Sequence, residues 1–213
     1  MNQDTITTVY FVRHGQTAAN ATGTIQGQTD VPLDETGLKQ AELVGARLKN
    51  FPFDVIYSSD LCRAAVTAGK IASGRTVIRT PRLREWDLGH WQGVAISEIK
   101  LRFPEEYNLF AADSPDFHPE NGESSREFQQ RAGDFMHYLA ANHPGQKILC
   151  VSHGGFMVKV LNHVLQCGNF PKRPRMDNTC IAVFSTADGG TNWQLITWND
   201  TAHLESEALD NIG

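Results

Sequence analysis

No stretch of this chain approaches the ~20 consecutive apolar residues needed to span a bilayer, and the opening residues, Met1-Asn2-Gln3-Asp4, lack the basic and apolar regions of a leader peptide. No membrane association is expected, and the chain reads as soluble and cytoplasmic. Cysteine is sparse: Cys62, Cys150, Cys167 and Cys180 are widely spaced and form no Cys-x-x-Cys pair. Without that pair neither a zinc nor a redox motif is indicated, and buried free thiols are the expectation. No compact set of Asp, Glu and His at ligand spacing stands out either, so no metal and no cofactor are expected. Positive charge is not in excess. A formal net charge of -5 argues against nonspecific nucleic-acid binding, which depends on neutralising many phosphates with Lys and Arg. Any phosphate site must be local. There is no internal repeat, no low-complexity tract and no Pro/Gly/Ser-rich linker, so the 213 residues read as one domain, with an insertion around residues 83–122.

What is present is an apolar strand that ends in chemistry. Thr7-Thr8-Val9-Tyr10-Phe11-Val12 runs into Arg13-His14-Gly15, and so short an apolar run fits a strand buried on both faces of a parallel sheet. His14 then lies at the carboxyl end of its strand, where open α/β sheets bind ligands. The design recurs at Lys147-Ile148-Leu149-Cys150-Val151-Ser152, which runs into His153-Gly154-Gly155 and a helical pattern. Between these blocks, apolar residues recur at helical spacing from Leu38 to Leu48, with Asp34 or Thr36 as N-cap, and from Leu61 to Ala72. Val55-Ile56-Tyr57 makes a short strand, and Val77 to Arg79 a weak one. The polar stretch from Asn20 to Pro32 is too long for a turn and reads as a loop around the site. Ser124-Ser125-Arg126-Glu127 is a capping box that opens a helix traced by Phe128, Ala132, Phe135 and Leu139. Cys180–Phe184 and Gln194–Trp198 read as closing strands, antiparallel about an Asp188-Gly189-Gly190 turn. The expected fold class is α/β: a three-layer α/β/α sandwich with a mostly parallel central sheet and an inserted helical cap. The cap holds a short helix around Ile96–Phe103 and six aromatics, Trp86, Trp91, Phe103, Tyr107, Phe110 and Phe117.

The polar residues at the strand ends are Arg13, His14, Arg63, Glu85 and His153. Together they fit phosphoryl transfer. Two guanidiniums can hold phosphate oxygens by charge-assisted hydrogen bonds, one imidazole can attack phosphorus while the other binds an equatorial oxygen, and a carboxylic acid can protonate the departing alkoxide. Arg63 falls in the first turn of its helix, where the helix dipole disfavours a cation unless an anion sits beside it. Gly15, Gly154 and Gly155 are expected to let a ligand approach the backbone, and the helix that starts near Gly154 to offer its N-terminus to an anion.

From Val9 to about Leu204 the chain resembles the histidine phosphatase superfamily, which includes phosphoglycerate mutases and many small phosphatases. Four blocks carry the resemblance in order: Arg13, His14, Gly15 and Thr17 with Asn20; Ser58 to Ala64 with Arg63; Glu85, Gly89 and Gly93; and Val151-Ser152-His153-Gly154-Gly155. It implies that His14 carries the phosphoryl group, that Arg13, Arg63 and His153 form the phosphate pocket, that Glu85 is the proton donor, and that Asn20 and Gln26 contact phosphate or substrate. Arg84-Glu85-Trp86-Asp87-Leu88-Gly89, the short Asn121-Gly122-Glu123-Ser124 block and Trp198 to Leu204 resemble the phosphatase branch rather than the mutases. The expected activity is metal-independent hydrolysis of a small-molecule phosphomonoester. A phosphoglycerate mutase-like phosphotransferase and a weakly active phospho-ligand binding protein are the alternatives. For the leaving group two selectors are in view: the cap aromatics with His118 as a polar handle, or a basic rim of Lys172, Arg173 and Arg175. Oligomeric state is not readable from one sequence.

Overall fold

The computed structural model describes residues 6–167, 170 and 174–209. In chain order the elements are β1 (Thr7–Arg13), α1 (Ala18–Thr22), α2 (Glu35–Leu48), β2 (Val55–Ser59), α3 (Cys62–Ala72), β3 (Ile78–Thr80), α4 (Ile96–Arg102), α5 (Pro104–Ala111), α6 (Ser125–Asn142), β4 (Lys147–Ser152), α7 (Gly154–Leu165), β5 (Ile181–Thr186), β6 (Gln194–Asp200) and α8 (Ala202–Leu209). One six-stranded sheet has the order β3-β2-β4-β1-β5-β6. The first four strands are mutually parallel, β5 runs antiparallel to β1, and β6 is antiparallel to β5. Among the described residues no helix is long and apolar enough to cross a membrane.

The central strands β1 and β4 are largely apolar because both of their faces are covered. Side chains alternate along a strand, and the alternation divides β1 and β4 between two buried clusters. Val9, Phe11, Ile148 and Cys150 pack with Phe128, Phe135 and Met136 of α6 and Phe156 and Val160 of α7. Val12, Leu149 and Val151 pack on the other face with Val44 of α2 and Ala64, Ala68 and Ile71 of α3. The three-layer arrangement follows from that division.

Helix starts follow the capping chemistry. Asp34, one of the two expected caps, accepts from the Gly37 amide at 2.7 Å to open α2. The Ser124/Glu127 box opens α6 with both reciprocal bonds present. Three helices were not expected: α1, α5 and α8 (Ala202–Leu209). α1 is a five-residue helix closed by a Thr17/Asn20 capping box and ended by Gly23 in the left-handed region, so the anticipated loop begins three residues late. α5 follows α4 directly, with Pro104 at its first turn.

Candidate active site

The register of the two central strands creates the site. Arg13 pairs with Ser152 in the parallel β1/β4 ladder, so the next residue of each strand, His14 and His153, emerges side by side, with ring centroids 5.1 Å apart. Arg13, His14, Asn20, Gln26, Arg63, Glu85 and Gly154 all line one cavity of about 340 Å³. His153 is fully buried beside it.

His14 is held rigidly. Its amide donates to the Ser152 carbonyl at 3.0 Å, and its carbonyl accepts from Asn178 Nδ2 at 3.0 Å and the Thr179 amide at 3.3 Å. The ring Nδ1 lies 2.7 Å from the Gly15 carbonyl. A carbonyl only accepts, so Nδ1 carries the proton and the lone pair is on Nε2. Burial, followed by the positive charges of Arg13 and Arg63, holds the imidazole well below the usual histidine range, which keeps it neutral. His153 is also held well below that range by burial and then by Arg63. Among the described residues neither of its ring nitrogens has a hydrogen-bond partner. A fully buried imidazole without a partner is rare unless a ligand supplies one.

Arg63, 1% exposed, anchors the loop after α1: Nη1 donates to the Thr29 carbonyl and Nη2 to the Gly27 carbonyl, both at 2.8 Å. Its Nε has no partner among the described residues. The anion that its helix position calls for is Asp30, whose Oδ1 accepts from the Cys62 amide at 2.7 Å and caps α3 from across the loop. Arg13 donates to the Met176 carbonyl at 2.6 Å. A Cβ on Gly154 would approach Arg13 Nε to 3.2 Å, so glycine there leaves the guanidinium its place. Asn20 and Gln26 turn their carbonyl oxygens to Thr17, whose Oγ1 lies 3.1 and 2.9 Å away. Both residues line the cavity.

Glu85 corrects one expectation. The N-terminus of α7 is not left open for the ligand, because the Gly155 amide donates to Glu85 Oε2 at 2.9 Å and the Phe156 amide to Oε1 at 3.1 Å. The anion at that helix end is Glu85 itself, placed by the same dipole argument. Gly15 requires a second correction. A Cβ there would meet the Gly37 carbonyl oxygen at 2.4 Å, so the glycine permits α2 to pack against the turn after β1 rather than making room for a ligand.

The segment between β3 and α6 also differs from expectation. Trp86 and Phe110 line the cavity, but Trp91 and Phe117 are 0% and 1% exposed, inside the cluster that covers β1. His118 is exposed, bonds the Gly122 carbonyl at 3.2 Å and does not line the cavity. Of the basic rim, Lys172 and Arg173 lie outside the described residues, and Arg175 extends into solvent, paired with Asp177 at 2.9 Å.

Several supporting residues were not anticipated. Thr67 accepts from the Gly15 amide at 3.2 Å and sits one helical turn after Arg63, a spacing that offered some signal. Arg131 and Asn178 offered none, since they reach the site only through tertiary packing. Arg131 donates to the carbonyls of Arg82, Arg84 and Glu85 at 3.1, 2.7 and 3.1 Å and pairs with Glu123 at 2.8 Å, so one guanidinium holds the whole Glu85 loop.

His203 is held within the fold: Nε2 lies 3.0 Å from Thr179 Oγ1 and Nδ1 accepts from Arg47 at 3.3 Å. Burial lowers it to about 4. Unfolding lets this histidine take up a proton near pH 6.5, so between pH 6.5 and about 4 the unfolded chain binds more protons and stability falls as pH falls. His14 and His153 act in the same direction. Denaturant melts across that range should show the decline, on the order of 3 kcal/mol for His203 alone. A flat profile from pH 7 to about 4.5 would contradict it.

Comparison with known proteins agrees with this geometry. The chain is 35% identical over 206 residues to a metal-independent phosphoserine phosphatase of Arabidopsis thaliana, covering 94% of this chain and 84% of that one. It is 36% identical over 210 residues to phosphoglycerate mutase-like protein 4 of the same organism, covering 96% and 90%. The fold matches a phosphoserine phosphatase variant of Entamoeba histolytica, solved in complex with phosphoserine, with a TM-score of 0.82 at 29% identity, over 93% of this chain and 99% of that one. The model of the histidine phosphatase superfamily, branch 1, matches residues 9–201, and the chain belongs to that family.

Proposed function

We propose that this chain is a phosphomonoester hydrolase that works through a covalent phosphohistidine at His14. The observation that carries the proposal is the fixed tautomer of His14: Nδ1–H on the Gly15 carbonyl leaves Nε2 as a nucleophile in a cavity walled by Arg13, Arg63 and Glu85. In the first step Nε2 attacks phosphorus in line, the ester P–O bond breaks, and Glu85 passes its proton to the departing oxygen. In the second step Glu85, now a carboxylate, takes a proton from water as its oxygen attacks phosphorus, the P–N bond breaks, and inorganic phosphate leaves. We assign Arg13, Arg63 Nε and the ring nitrogens of His153, the last two without a partner among the described residues, to the oxygens of the transferring group, whose charge they offset. The phosphatase relatives support hydrolysis, and the mutase-like relative supports the rival in which another hydroxyl replaces water.

Incubation with a phosphomonoester and excess glycerol separates these cases. Release of inorganic phosphate at the rate of ester loss is expected. Quantitative transfer to glycerol would favour a phosphotransferase, and phosphate binding without turnover a binding protein. We also read residues 83–122 as a cap on one domain, supported by Trp86, Trp91 and Phe117 sharing a buried cluster with Val9 and Phe11.

Full activity is expected after exhaustive chelation, because guanidiniums can neutralise the phosphoryl oxygens. Among the described residues no group of three or more His, Cys, Asp and Glu is disposed to hold a metal ion. Loss of activity restored specifically by magnesium, manganese or zinc would overturn this. Arg131→Met should lower kcat by roughly ten- to a hundredfold through misplacement of Glu85, with KM nearly unchanged and partial recovery in Arg131→Lys. Unchanged kcat would show that the loop holds Glu85 without that guanidinium.

A further inference from the structure

A second cavity, of about 310 Å³, adjoins the first. The two share Trp86, Ile96, Phe110 and Val158, so the annexe opens from the same space that His14 faces. Tyr107 and Phe128 complete much of its lining. Its volume is at the lower end of small-molecule pockets, ~300–1,000 Å³.

Among the described residues the charged groups on the annexe wall are Asp113 and Lys159, and they are engaged with each other and with the protein. Lys159 Nζ contacts Asp113 at 2.5 Å and Ser125 at 3.0 Å, and lies 5.2 Å from the centre of the Trp86 ring. Lys159 is 4% exposed. A cation whose donors are already directed to a carboxylate and a hydroxyl is a poor receptor for a further anion. The same contacts stiffen the wall: Trp86 is fixed by its Nε1–H on the Glu123 carbonyl at 2.7 Å, by the ammonium, and by the rings of Phe110 and Phe128 at 5.5 and 5.3 Å. An apolar slot that is already formed binds a flat apolar group without first paying to order its side chains.

We infer that this annexe is the leaving-group subsite and that it takes phosphomonoesters whose alcohol or phenol carries a flat apolar body, such as an aryl or arylmethyl group. The inference rests on the hydrolase proposal for the chemistry, but the subsite can be tested by binding alone. Calorimetry of the wild-type protein with naphthylmethylphosphonate and methylphosphonate reads the annexe without turnover. The aryl compound should bind at least about tenfold more tightly, the gain from burying roughly 60 Å² of apolar surface. Ile96→Trp, at the mouth between the two cavities, should bring that ratio to within about twofold, and Phe110→Ala should also lower it if the first variant fails to fold. Equal wild-type affinities, or a ratio that neither folded variant changes, would overturn the subsite. So would tighter binding of phosphonoacetate than of the aryl compound, which would assign the leaving group to a cation instead. Tight aryl binding with no hydrolysis of naphthyl phosphate would leave the subsite standing and defeat only the hydrolase chemistry.

Discussion

Rapid quench of the wild-type protein with a ³²P-labelled substrate should trap an acid-labile, base-stable phosphoenzyme, and His14→Ala should trap none while losing at least ~10⁴-fold in kcat/KM. The size of the loss follows from the site. Among the described residues that line the cavity His14 is the one imidazole; the His153 ring, centred 5.1 Å from it and fully buried, is assigned in the proposed mechanism to a phosphoryl oxygen and not to the line of attack. The alanine variant keeps Arg13 and Arg63, so substrate should still bind, and KM or an inhibition constant for inorganic phosphate should move far less than kcat. His153→Ala should behave differently. It removes a partner for a phosphoryl oxygen rather than the attacking atom, so the phosphoenzyme still forms, more slowly by ~10²–10³-fold. Label retained in His14→Ala, or lost only in His153→Ala, would move the nucleophile.

The parts of this site that could be read from sequence are those written within one element. Each histidine follows an apolar strand, and the parallel pairing of Arg13 with Ser152 then makes them neighbours. Arg63 was marked by being a cation in the wrong turn of its helix, a local conflict whose answer, Asp30, came from another loop. What failed were judgements that depend on which side of an element faces what. Composition cannot separate Trp91 and Phe117, which fill the core, from Trp86 and Phe110, which meet the cavity. Gly15 and the α7 N-terminus were read as space for a ligand, whereas one accommodates the backbone of Gly37 and the other receives Glu85. Arg131 and Asn178 support Glu85 and His14 from 46 and 164 residues away, through packing that no local pattern encodes.

The largest dependence on substrate is expected for Glu85→Gln. An alkoxide must receive its proton as the P–O bond breaks, whereas a nitrophenolate departs without one, so general acid help, worth ~10²–10⁴-fold, is needed only by the first. The substitution is mild for the fold. A glutamine oxygen can still accept from the Gly155 or the Phe156 amide at the start of α7 while its NH₂ leaves the other amide without that acceptor, and Arg131 still holds the backbone of the loop through the residue 85 carbonyl. Steady-state rates would blur the result, because hydrolysis of the phosphohistidine needs the same carboxylate as base and would limit both substrates. The phosphorylation step should therefore be read in single turnovers. Glu85→Gln is expected to lose ~10³-fold on an alkyl phosphate and less than about tenfold on nitrophenyl phosphate. With the activated ester in excess, the variant should release a burst of nitrophenol close to one equivalent and then slow, as phosphoenzyme accumulates. Equal single-turnover losses on the two substrates would show that Glu85 is not the acid, and a missing burst would show that it is not the base.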